Sequence, residues 1–118
     1  MAQPNLLAAE RWQHRILLVF SPAADPRLSR QRDIVRAAAP GMNERDLRVI
    51  EVVGTTVTGA ADTAAALRDR YRIAEDGFAA ILIGKDGGEK LRATDAIPAA
   101  RLFATIDAMP MRASEARR

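Results

Sequence analysis

RILLVFSPAADPRL, residues 15–28, decides the fold in one run. Its first half, RILLVFS, is an unbroken β-favouring apolar stretch, the pattern of a strand buried on both faces. Asp25 and Pro26 then mark the start of a helix. An aspartate side chain accepts from a free backbone N–H of the first turn, and proline at the first helical position surrenders no donor the helix needs. Leu28, Gln31, Ile34, Val35 and Ala38 follow at helical spacing, and Pro40-Gly41 predicts the stop. A buried strand that runs straight into an amphipathic helix is how an α/β domain begins.

The rest of the chain continues the alternation. DLRVIEVVG, residues 46–54, reads as a second strand and GTTVTGA as a loop. Residues 60–72 predict an alanine-rich helix with Ala64, Leu67 and Tyr71 on one face. FAAILIG, residues 78–84, is a third buried strand. KDGGEKLRA reads as a hairpin, because Asp86-Gly87-Gly88 tolerates positive φ, and a short fourth strand returns from it. From Pro98, Ala99, Leu102, Phe103, Ile106 and Met109 form the apolar stripe of a last helix that Pro110 stops, leaving MRASEARR to fray.

This reading divides the chain into an extension at 1–11, a domain at 12–110 and a tail at 111–118. The element order is β-α-β-α-β-β-α. Two βαβ-like crossovers imply parallel pairing and the glycine hairpin an antiparallel edge. The expected product is a mixed four-stranded sheet with helices on both faces, the arrangement of the thioredoxin fold.

Composition narrows the chemistry. A length of 118 residues supports one core, and 48% hydrophobic with 28% charged residues is the balance of a globular protein. With no cysteine there is no disulfide, no thiol catalysis and no thiolate metal site. His14 is the lone histidine and lies seven positions before Ser21, roughly 20 Å or more along an extended strand, too far to activate its hydroxyl. The net charge of +3 comes almost wholly from arginines interrupted by acids, as in RDRYRIAED. With 4% aromatics and no nucleic-acid motif, this argues for a solvated surface and against a nucleic-acid partner. No apolar run reaches the length of a membrane span, and MAQPNLLAAERW lacks the basic start and apolar stretch of a secretory signal.

RILLVFSPAADPRL, DGFAAILIGKDGGEKLR and LFATIDAMPMR together resemble the bacterial branch of the DUDES family, domain of unknown function 4174, over about residues 12–112. The GKDGG hairpin alone is unspecific; its coincidence with the FSP-x-x-D-P turn and DAMPMR carries the resemblance. It implies a thioredoxin-like fold in periplasmic or secreted proteins, with no established enzymatic activity. Export further implies a leader encoded upstream of Ala2, whereas a native start at Met1 implies the cytoplasm. In thioredoxins the strand–helix turn bears a Cys-x-x-Cys pair, faced by a cis-proline before the third strand. Here those positions fall near Asp25, Leu28 and Ala79, so the turn is kept without the dithiol chemistry.

In such a fold the FSPAADP, GTTVTG and AEDGF segments converge at one end of the sheet, where ligands of open α/β sheets bind. Ser21, Asp25, Arg27, Thr55, Asp76 and Phe78 are the candidate binding residues there, offering hydroxyls, charge and one apolar surface. Asp25 also serves as a helix cap, and it competes with any anion for the donors near Arg27. Asp25, Glu75 and Asp76 lack metal-ligand spacing and read as turn-forming or solvated acids. GKDGG opens a strand rather than a helix and is no phosphate loop. The expectation is a non-catalytic binding or structural module of the cell envelope, gripping a protein, peptide or small polar ligand without cofactor or metal. The alternative is an oxidoreductase-like enzyme that works without its own thiol.

Overall fold

Strands and helices sort into three layers in the computed structural model, which describes residues 12–116. In chain order the elements are β1 (Arg15–Ser21), α1 (Pro26–Glu44), β2 (Leu47–Val53), β3 (Thr56–Thr58), α2 (Ala64–Tyr71), β4 (Ala79–Ile83), β5 (Glu89–Ala93), α3 (Ala99–Asp107) and α4 (Pro110–Ala116). The single sheet has the order β3-β2-β1-β4-β5. β2 is parallel to β1, while β4 is antiparallel to β1 and β3 and β5 are antiparallel edges.

Every residue of β1 is buried. Ile16, Leu18 and Phe20 pack with Ile81, Ile83 and Leu67, beneath α2. Leu17 and Val19 face the opposite core, with Leu28 of α1 and Leu102 and Ile106 of α3. The two-residue period of a strand sends successive side chains into separate cores, and each enclosed aliphatic contributes about 1.5–3 kcal/mol. Gln31 sits inside the second core at 1% exposure. Its amide donates to the Ile97 carbonyl at 3.1 Å and accepts from the Ile97 N–H at 2.7 Å, clipping α1 to the segment before α3.

Three expectations about the sheet and the first helix are corrected. The sheet has five strands rather than four, because GTTVTGA is not all loop: Gly54, at φ +59°, lets the chain reverse so that Thr56–Thr58 pair with Glu51–Val53. The same hairpin explains why the second crossover yields an antiparallel neighbour. It turns the chain back before α2, whose Arg68 lies against Gly54, so α2 delivers β4 to the end where β1 leaves. Finally, α1 runs through Pro40-Gly41 to Glu44. Pro40 forgoes one helical hydrogen bond. Gly41 is a packing residue: a Cβ there would stand 2.9 Å from the Phe103 ring. The Arg45 guanidinium lies over the Phe103 ring, 4.1 Å from its centroid, and donates to the Gly41 carbonyl at 3.0 Å.

The expected frayed tail is also structured, as α4 through residue 116. Arg15 and Lys85, 1% and 8% exposed, need a counter-charge, and Glu115 supplies it to both at 3.1 and 2.8 Å. The amino-terminal extension expected at 1–11 lies outside the described residues.

Candidate functional site

At the end of the sheet where β1 and β2 finish and β4 begins, three connections meet. The Gly54 N–H donates to the Ser21 carbonyl at 3.1 Å, and Phe20 is registered against Ala79. This brings the 21–25, 54–55 and 76–78 segments together, as the sequence predicts. Asp25 is the N-cap of α1, its carboxylate accepting from the Arg27 N–H at 2.9 Å. The Arg27 guanidinium donates to both oxygens of the same carboxylate, at 2.9 and 2.6 Å. Its remaining arm reaches the Thr94 carbonyl at 3.1 Å, and its plane lies 4.9 Å over the Phe78 ring. These contacts hold the Asp25 carboxyl down at about 2, from an ordinary 3.8: the side-chain bond from Arg27 is the largest cause and its backbone N–H the next.

The candidate residues fall into two groups. Ser21 is fully buried and its hydroxyl donates to the Pro22 carbonyl at 2.7 Å; Phe78 is buried too, at 5% exposure. With Asp25 and Arg27 they form an internally satisfied turn, whose donors and acceptors are spent on one another. Thr55 and Asp76 are exposed and can meet a ligand directly.

Beside them, on the α2 side of the sheet, lies an open cleft of about 500 Å³ lined by Thr55, Ala65, Arg68, Arg72, Ile73 and Glu75, among others. Sequence reasoning missed Arg68, which is 7% exposed. It donates to the Gly54 carbonyl and so braces α2 against the strand end. The signal was its position: with Ala64, Leu67 and Tyr71 it falls on the inward stripe of α2, where an arginine is out of place. Among the described residues no group of three or more His, Cys, Asp or Glu could hold a metal ion, and there is no cis peptide bond. No helix among them is long and apolar enough to cross a membrane.

A mixed five-stranded sheet, layered between α1 with α3 and α2, defines an α/β domain whose loops gather at one strand end. Within that class the chain belongs to the family described as a domain of unknown function (DUF4174), whose profile matches residues 6–115. No curated protein matches it.

Proposed function

We propose that this chain is a non-catalytic binding module of thioredoxin-like architecture, from the bacterial branch of its family, acting in the cell envelope. The architecture is supported by the sheet order β2-β1-β4-β5 with β4 reversed, and by α1 and α3 on one face with α2 on the other. The observation that carries the binding role is the meeting of three connections at one strand end, with exposed Thr55 and Asp76 beside an open cleft. Sites of open α/β sheets favour such ends. The turn that would bear a dithiol holds an aspartate cap and a serine bonded to its neighbour, which suits rigid support of a ligand surface rather than bond-making.

The test is retention of partners from a cell-envelope extract by the immobilised protein. Thr55→Arg and Asp76→Arg, both at exposed positions, keep the fold and lose the retained species. An unchanged retention profile in both variants refutes the strand end as the binding surface. Insulin-disulfide and peroxide reduction by the purified chain stays at the uncatalysed rate; robust turnover abolished by a point substitution would establish the enzyme reading instead.

A further inference from the structure

Among the described residues two large hydrophobic side chains stand exposed, Trp12 at 57% and Met111 at 39%, and both adjoin one feature. It is an open groove of about 330 Å³ at the Arg15 end of β1, mainly apolar in its surface. Gly84 and Lys90 of the β4–β5 hairpin form one side, and Ala108, Met109, Pro110 and Met111 of the α3–α4 corner form the other. Arg15 and Lys85 line it too, and their pairs with Glu115 tie α4 to the sheet. Trp12 meets the groove at its rim, where its N–H donates to the Lys85 carbonyl. An open groove here is costly twice over. The methionine surface stays wetted, and water reaching the ion cluster weakens its pairs.

We propose that the occupant of this groove is the segment preceding Trp12 in the same chain, and that Leu6 and Leu7 fill it. Continuity favours this occupant. The two leucines lie five and six positions before Trp12, within about 22 Å even when fully extended, so they reach a groove that begins at Lys85. Size favours it as well. An apolar cavity of about 150 Å³ encloses a benzene ring, so this groove takes two groups of leucine size. Methionine walls adapt to such side chains without needing one fixed shape. The family profile adds an independent observation: it begins at residue 6, not at Trp12, which places both leucines inside the domain pattern. It ends at residue 115, the glutamate that locks α4 beside the same groove. Tethering decides between this segment and a second copy of the chain. A short linker holds its segment at an effective concentration in the millimolar range, above that of any free competitor of equal chemistry. Because the groove lies at the opposite end of β1 from Thr55 and Asp76, its occupant is independent of what the strand end binds.

The experiment uses the full chain with labelled methionine and leucine methyl groups. Leu6 or Leu7 methyls give nuclear Overhauser effects to the Met109 and Met111 ε-methyls, and none to Met42, which belongs to the core under α1. A mixed sample, half labelled and half not, shows no such effect between copies. The double variant Leu6→Asp with Leu7→Asp keeps the amide spectrum of the sheet but loses these contacts. Its Tm falls by about 4–8 °C, and a soluble paramagnetic agent now relaxes the Met111 methyl, which is shielded in wild type. Wild-type leucine methyls without contact to either methionine overturn the proposal, as does a Met111 methyl equally relaxed in both proteins. Contacts found only between copies assign the groove to a second chain and overturn it too.

Discussion

Asp25 shows how one side chain is settled by its nearest neighbours. It caps α1 through the Arg27 N–H and pairs with the Arg27 guanidinium. Because its folded pKa is depressed to about 2 from 3.8, the stability it provides is complete above the ordinary value. That stability is lost as pH falls from 3.8 toward 2. An Asp25→Asn variant keeps a competent cap but not the charge pair. Its Tm should lie below wild type at neutral pH, and the gap should close between pH 4 and 2. A gap that persists at the acid end would mean that the charge of Asp25 is irrelevant to stability. The cap was legible from Asp25-Pro26 alone, because all of its partners are local. Arg68 was not, since a helical stripe marks the inward position without saying what an arginine there touches.

α4 makes the opposite case, an element fixed entirely by distant partners. Seven residues are too few to hold a helix in water unaided. Glu115 binds Arg15 and Lys85, and Arg112 binds Glu44 at 3.1 Å and lies 3.4 Å from Asp107. Burial alone would raise the Glu115 carboxyl, but the hydrogen bonds from Arg15 and Lys85 outweigh it and hold it below 4.5. The depressed value means that this stabilisation is present above 4.5 and fades as pH drops below it. Glu115→Gln leaves the enclosed Arg15 without a carboxylate and Lys85 with Asp46 alone, at 2.8 Å. The cost should be about 2–3 kcal/mol, under the about 3–5 kcal/mol of a fully enclosed pair, because Glu115 keeps 19% of its side chain exposed. Amide protection of residues 110–116, taken relative to the intrinsic exchange rate at each pH, should be lost in Glu115→Gln at pH 7, and in wild type only in acid. Equal protection in the two proteins at pH 7 would show that apolar contacts, not Glu115, hold α4. The sequence could not display this helix, since Arg15 lies 100 positions from Glu115. For the same reason β3 escaped notice: three residues become a strand only through their pairing with β2. β1 and β4 were legible because burial on both faces leaves an unbroken apolar run, and α3 because burial of one helix face leaves a periodic stripe.

For the whole molecule, the double engagement of Lys85 has a topological meaning. The Trp12 N–H donates to the Lys85 carbonyl, and the Glu115 carboxylate takes the Lys85 ammonium at 2.8 Å. The described segment therefore starts and finishes at one residue, on the opposite end of β1 from Ser21 and the cleft. Such a domain can be cut and rejoined. A circular permutant should close residue 116 onto residue 12 with a linker of about six to eight residues, and open new termini in the exposed loop at Ala61. It should give a wild-type far-ultraviolet spectrum and a cooperative, modestly lowered Tm; an unfolded product would show that the order of assembly matters more than the proximity of the ends. By the same geometry, a protein spliced directly onto residue 12 or residue 116, or one into which residues 12–116 are inserted, would stand at the far end of β1 and leave the cleft uncovered.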